Sequence, residues 1–418
     1  MNGPAEHVLF QVGLLFLAGL AAGKVAEWLR VPDIVLYLLA GIVLGPPLLG
    51  WIDIPAESTL SELILVFGAA FMLYEGGREV DLPILGQVWR TVALLSTTGV
   101  LLTALPVALA AMWLLHLPFL VAFLLAAVLS PTDPATIIPI FQQVRLRPRL
   151  AQTAQSESAF NDATGSVLVV SLLSLLMARG LSGADIAAQF VLLIAGGIGV
   201  GLLVGFVASA LIAHGSRIPR IFGESETGSV MSLVIIIGAY LLAEAVGASG
   251  FMAVFVAGIV NGNKPAFGLR VEDEHERVHR HFFSVNALIM RMLIFILLGS
   301  HVDFGVLGRY LWPLMGVMAV LIFVGRPLAV LLSAGVDRAV RWTRNELLFL
   351  MWVRETGVIP AALAGILTAE HVPHAGLIQA AVFAAILSTL LLQGSTTSWA
   401  ARRLGVLAGE DGSGAQAV

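Results

Sequence analysis

The chain has 418 residues, 58% of them hydrophobic and only 12% charged, with a mean hydropathy of +0.94 and a formal net charge of −4. Soluble domains carry about 25% charged residues, so the composition excludes a chain of soluble domains and points to one dissolved in the lipid bilayer. There is no cysteine, which excludes disulfides and thiolate metal sites.

The N-terminus, MNGPAEHVLF, lacks a basic leader and a small-residue cleavage site, and reads as the approach to a first membrane helix rather than a removable signal. A membrane-crossing helix needs about 20 mostly apolar residues. Such windows recur thirteen times, near 8–29, 33–49, 58–77, 88–115, 118–143, 150–178, 183–213, 227–246, 249–262, 282–300, 308–335, 344–370 and 374–400. The second, ninth and twelfth are short or interrupted, as tilted or broken helices would be. Apolar residues run continuously instead of alternating, which excludes a β-barrel. The expected fold class is an all-α polytopic membrane protein of about 13 transmembrane helices, forming one transporter domain over 1–405 with a short polar tail at 406–418.

In chain order, Lys24 is the first charge inside a span, close enough to a cytoplasmic end for its stem to snorkel. Span 5 contains SPTDP, Ser130 to Pro134. Its two prolines remove amide donors and clash with preceding carbonyls, so a regular helix does not pass through. Unwound backbone inside a membrane is tolerated only where it is buried in protein or lines a cavity. Thr132 and Asp133 sit at that break, where freed carbonyls are placed to coordinate a small cation.

Span 6 opens with ESAFNDATG, Glu157 to Gly165, which sets two carboxylates, a serine and an asparagine in an apolar stretch. On a helix Ser158 and Asp162 share one face, and Glu157 and Asn161 share the next. A hard monovalent cation takes oxygen ligands of this kind. Arg326 and Arg354 lie deep in spans 11 and 12 and need partners there. Arg326 is the expected ion-pair partner of Glu157. Deep basic groups are too few to neutralise every carboxylate, and Asp162 is left as the functional one. Span 12 is expected to carry a second break at Gly357 to Pro360, the sequence GVIP.

Between these spans, the longest polar interval, Asn261 to His281, reads as a loop. Its EDEHERVHRHFF segment spaces His275 and His279 for a pH sensor or a metal, with His281 close by. A charged cytoplasmic loop explains all three histidines without function. GESET, Gly223 to Thr227, is expected to balance Arg217 and Arg220.

Two segments repeat. AEWLRVPDIVLYLLAGIVLG (Ala26 to Gly45) and AEAVGASGFMAVFVAGIVNG (Ala243 to Gly262) both begin Ala-Glu and end AGIV-x-G at the same distance. They lie seven spans apart, and an odd offset inverts the second copy in the membrane, the architecture of many secondary transporters. The prolines of spans 5 and 12 fall at equivalent places in the two copies. With the N-terminus outside, seventeen of the 23 Lys and Arg fall in cytoplasmic loops and only Arg179 and Arg309 in outer ones. The positive-inside rule therefore puts the C-terminus in the cytoplasm.

FMLYEGGREVDL (71–82), SPTDPATI (130–137), ESAFNDATGSV (157–167), RMLIFILLGSHVDF (291–304), GRPLAVLL (325–332) and LLQGSTTSWAARRLG (391–405) together span almost the whole chain. They resemble the sodium/proton exchanger branch of the monovalent cation:proton antiporter superfamily. The resemblance implies thirteen helices in an inverted repeat, two crossed broken helices and a homodimer. The Asn-Asp pair, Asn161 and Asp162, implies electroneutral one-for-one exchange. Asp162 is implied as the shared cation and proton carboxylate, with Asn161 beside it. Thr132 and Ser158 are implied as further ligands of the transported Na⁺ or K⁺, Asp133 as a group at the helix crossing, and Glu157 with Arg326 as a structural ion pair. One segment departs from the family pattern. Where the family has Leu-Arg before the Gly-x-x-Pro of span 12, this chain reads WVRETGVIP. Thr356 stands at the arginine position, Arg354 lies two residues earlier within reach of Asp133, and Glu355 is an unexplained charge.

The expected activity is secondary antiport of Na⁺ against H⁺, with K⁺/H⁺ exchange as the near alternative and a sodium-coupled symporter or a cation channel as remoter ones. Alternating access would rock a core near 118–178 and 344–400 against dimer and scaffold helices. No GxxxxGK[ST] motif or catalytic constellation is present, and the protein is expected to be neither an enzyme nor dependent on a cofactor beyond its transported ions. No nucleic-acid partner or nucleotide-binding domain after Arg403 is expected. The expected location is the bacterial inner membrane.

Overall fold

The computed structural model describes residues 3–29, 31–133, 146–177, 183–215, 225–268 and 273–408. These form α1 (Pro4–Leu29), α2 (Asp33–Leu44), α3 (Thr59–Arg78), α4 (Leu82–Ser96), α5 (Thr98–Leu114), α6 (Phe119–Leu129), α7 (Pro148–Met177), α8 (Gly183–Gly215) and α9 (Ser225–Ala245). There follow α10 (Gly250–Gly262), α11 (Asp273–Ser300), α12 (Phe304–Val320), α13 (Arg326–Ser333), α14 (Arg344–Trp352), α15 (Val358–Ala369), α16 (Ala375–Leu392) and α17 (Thr397–Arg403). Among the described residues, eight helical stretches are long and apolar enough to cross a membrane, and five shorter apolar helices lie between them. Together they follow the thirteen expected windows in order. Arg30, Pro134, Arg145, Arg179, Arg217, Arg220, Arg270 and the tail from 409 lie outside the described residues, as do the side chain of His275 and the GESET charges.

One compact unit comprises 1–80, 166–307 and 361–380. Within it the two repeated segments make matching contacts. Each is the end of one helix, a short link and a short apolar helix, α2 or α10. Helix α2 lies along α11, and α10 lies along α3. The glycine of each AGIV sequence marks the closest approach. A Cβ on Gly41 would stand 2.1 Å from the Ile296 carbonyl oxygen, and one on Gly258 would stand 2.3 Å from that of Tyr74. Span 3 and span 10 are themselves seven apart, so span 2 on span 10 is the inverted counterpart of span 9 on span 3. In the same unit Arg291 meets Asp33 at 3.5 Å, and Lys24 pairs with Glu27 at the exposed surface. The interval expected as a loop to His281 becomes helical at Asp273. Its continuation is amphipathic, with His279 buried and His281 exposed.

The other unit comprises 81–165, 308–360 and 381–418. Here α4 starts at Asp81, whose carboxylate accepts from the Ile84 amide at 3.0 Å. Helix α14 starts with a capping box in which Thr343 and Glu346 satisfy each other's orphan amides. Glu346 also gathers Arg147 and Arg149, over an apolar cluster of Leu95, Leu150, Val330, Phe349 and Leu350. A turn of π-helix, Leu321–Gly325, precedes Arg326. The second helix break lies upstream of its expected place. Residues Val353 to Gly357 are non-helical, while Pro360 sits in the first turn of α15. There its missing N–H is no loss, because first-turn amides have no intrahelical acceptor.

Candidate cation-binding site at the crossed helix breaks

The site lies within the second unit. Helix α6 stops at Leu129 because Pro131 cannot continue it, and Pro131, Thr132 and Asp133 run on as buried, non-helical backbone. Helix α14 stops at Trp352, and Val353 to Gly357 cross the first break. The Asp133 amide donates to the Glu355 carbonyl at 2.9 Å. The Asp133 carboxylate accepts from the Val358 amide at 3.0 Å and so caps the N-terminus of α15. A Cβ on Gly357 would fall 1.9 Å from the Asp133 Oδ2, so only glycine allows the two chains to pass this closely.

Each half-helix that ends at a break leaves free carbonyls, and a buried arginine meets each set. The Arg354 Nη2 donates to the carbonyls of Leu129 and Ser130 at the end of α6. Arg326 donates its Nε to the Leu350 carbonyl at 2.9 Å and its Nη2 to that of Val353 at 3.4 Å, at the end of α14. The positive groups thus lie where the helix dipoles end negatively. Arg326 also forms a two-pronged ion pair with Glu157, through Nη1 to Oε1 and through Nη2 to Oε2 at 3.0 Å. Sequence reasoning paired Arg326 with Glu157 but missed this carbonyl-capping role of Arg354, for which it had named Asp133.

The helix α7 turn Glu157 to Asp162 faces the first break. Asn161 binds Thr132 twice, accepting from its amide at 3.1 Å and donating to its hydroxyl at 2.9 Å. Ser158 donates its hydroxyl to the Thr132 carbonyl. Ser158 and Asn161 therefore work on one partner, although helical spacing had set Asn161 on the face of Glu157. Asp162 differs from its neighbours. It retains some exposure, and its Oδ1 is shielded with no hydrogen-bond partner among the described residues. Asp133 lies within electrostatic reach of Asp162. Thr132, Ser158 and Asn161 are thus tied together at one break, with Asp162 next to Asn161 on α7 and within electrostatic reach of Asp133.

The second break also holds groups that spacing did not single out. The Thr356 amide donates to the Thr389 hydroxyl at 3.1 Å, and Gln393 donates to the Trp352 carbonyl at 2.7 Å. Thr389 in the apolar α16 and Gln393 just after it, polar residues in an apolar stretch, were the signal available for them.

Residues 12–403 match the family described as "Sodium/hydrogen exchanger, transmembrane". The chain is 32% identical over 378 residues to Na(+)/H(+) antiporter 1 of Methanocaldococcus jannaschii, covering 89% of this chain and 85% of that protein. It is 29% identical to the K(+)/H(+) antiporter NhaP of Alkalimonas amylolytica, covering 94% of this chain and 66% of that protein. The solved structure of the sodium proton antiporter MjNhaP1 from Methanocaldococcus jannaschii at pH 8 superimposes with a TM-score of 0.80 at 29% identity, covering 95% of this chain and 99% of that one. The crossed breaks, the inverted pairing of α2 on α11 with α10 on α3, and a match reaching from residue 12 to residue 403 agree: this chain belongs to the transmembrane sodium/hydrogen exchanger family.

Proposed function

We propose that the protein is a secondary antiporter that exchanges Na⁺ for H⁺, one for one, with Asp162 as the group that holds either ion. The observation that carries this reading is the shielded Oδ1 of Asp162, without a hydrogen-bond partner among the described residues, on the stretch of α7 whose Ser158 and Asn161 clamp Thr132. A carboxylate so placed is costly to keep bare in a membrane. A proton or a cation neutralises it, and the two compete for the same oxygens. Thr132 and Ser158 add oxygen ligands suited to a hard cation. Asn161 and Asp133 hold the break in shape. Arg326 and Arg354 meet the negative ends of the half-helices and Glu157 balances Arg326, so that the charge on Asp162 is the one that changes.

No chemical conversion and no resident cofactor enter this scheme. The ions are the substrates, and their gradients supply the energy. We take residues 1–405 to work as one transporter domain in a homodimer, in a bacterial inner membrane with the N-terminus outside. The loop distribution of Lys and Arg supports that orientation. K⁺ is the second reading for the cation, favoured by the relative named a K(+)/H(+) antiporter. The deciding experiment uses purified protein in liposomes with an internal pH dye, titrated with Na⁺, K⁺ and Li⁺. Na⁺ should collapse an imposed pH gradient at the lowest concentration. Collapse by K⁺ at lower concentration selects the second reading, and failure of every cation removes both.

A further inference from the structure

One buried carboxylate of the same unit, Glu355, is given no part in that scheme. Glu355 is 1% exposed, and neither oxygen of its carboxylate has a hydrogen-bond partner among the described residues. Its side chain ends against Gly394, where a Cβ would lie 2.6 Å from Oε1, so the glycine makes room for it. The residue before that glycine, Gln393, is fully buried and commits its Nε2 to the Trp352 carbonyl. Among the described residues its Oε1 is an acceptor without a donor, and the buried hydroxyl of Thr356 also lacks a partner.

The charged groups around Glu355 do not neutralise it. Arg354 precedes it in the chain, but its Nη2 is given to Leu129 and Ser130, and the charges within electrostatic reach of its guanidinium are those of Arg326 and Glu157. Arg326 is occupied by Glu157. Asp133, whose amide binds the Glu355 carbonyl, is the other carboxylate within electrostatic reach. An unpaired carboxylate away from water takes up a proton rather than stay charged. A metal cation would need an entry path and a fuller oxygen shell of about six ligands, whereas a proton needs one acceptor.

We propose that Glu355 is a second proton site, a carboxylic acid that keeps its proton throughout the exchange cycle and donates its O–H to the Gln393 amide oxygen. This rests on the reading of Asp162 as the exchanging carboxylate, since a resident proton on Glu355 leaves Asp162 as the carboxylate whose charge changes in turnover. Neutral Glu355 also spares Asp133 a second negative neighbour at the crossing.

The test is infrared difference spectroscopy at neutral pH on the Asp162→Asn protein, with and without Glu355→Gln, together with exchange and melting measurements on Glu355→Gln alone. The expected result is a carbonyl-stretch band of a protonated carboxylic acid in Asp162→Asn that disappears in the double variant. Gln393→Leu should shift that band by removing its acceptor. Glu355→Gln, a neutral mimic of the acid, should fold, melt within a few degrees of the parent and exchange within about threefold of its rate, which is less than 1 kcal/mol. An unchanged band in the double variant overturns the proposal. So does a Glu355→Gln protein that fails to fold or loses exchange, because either result requires the charged form. Exchange surviving in Asp162→Asn alone would instead defeat the reading of Asp162, whatever becomes of the band.

Discussion

The carboxylate of Asp133 caps the Val358 amide at 3.0 Å while its own amide binds the Glu355 carbonyl at 2.9 Å. A single residue of the first break thereby fixes the second. Losing a helix cap costs about 0.5–2 kcal/mol, so Asp133→Ala should lower the melting temperature measurably. Asp133→Asn, which keeps an acceptor, should cost less. Gly357→Ala has no room beside Asp133 and should be the most damaging of the three, in both melting temperature and exchange.

Glu157 and Arg326 form a buried ion pair. Removing one member of a buried ion pair strands the other at a cost of about 3–5 kcal/mol. Arg326→Ala also frees the carbonyls of Leu350 and Val353, and should therefore destabilise more than Glu157→Gln. Thermal melts of the purified variants give the order. Normal stability of Glu157→Gln with cation binding abolished would make Glu157 a ligand instead.

Asn161→Ala removes two buried hydrogen bonds to Thr132. At about 1 kcal/mol each, the loss should be about 2 kcal/mol, with a weaker apparent cation affinity because Thr132 is no longer held. Wild-type cation affinity in this variant would mean that Thr132 is not a ligand.

His301 supplies a pH dependence of stability. It follows α11, is half-buried, and its Nε2 lies 2.7 Å from the Ile54 carbonyl oxygen. Burial pushes its pKa below the usual histidine value, against smaller opposing effects of the Ile54 carbonyl and Asp53. The neutral ring is then favoured in the folded state, and below pH about 6.5 the unfolded chain binds more protons. Stability should therefore fall as pH drops below that value. His301→Asn should flatten the melting temperature between pH 7.5 and 5.5, two values about a unit on either side of the ordinary histidine pKa; an unchanged slope would contradict this.

Exchange should be electroneutral, because one carboxylate trades one proton for one monovalent cation. Proteoliposomes with a clamped membrane potential test this. Rates should not respond to the potential, and a potential that drives or arises from exchange would refute one-for-one coupling.

The spans were legible because lipid demands long apolar windows, and the first break because Pro131 beside Thr132 and Asp133 disrupts a helix locally. The ion pair of Glu157 with Arg326 was legible because an arginine so deep in an apolar span needs a partner. The second break was misplaced by a few residues. Pro360 does not cause it, and the non-helical run Val353 to Gly357 is held by contacts with Asp133 that no local signal encodes. The partners of Arg354 were missed for the same reason, since the free carbonyls of Leu129 and Ser130 exist only once α6 has ended beside it. The interval before His281 was read as a loop because its charges hid an amphipathic helix that buries one side only.

The most direct test is Asp162→Asn. It keeps shape and hydrogen-bonding capacity while removing the negative charge and the titratable proton, and a neutral amide is less costly to bury than a carboxylate. The variant should fold with undiminished melting temperature, lose the thermal stabilisation that a bound cation gives, and show no exchange for any cation at any pH in proteoliposomes. Proton-coupled cation flux persisting in Asp162→Asn would contradict the account and move the exchanging carboxylate elsewhere, with Asp133 the next residue to replace.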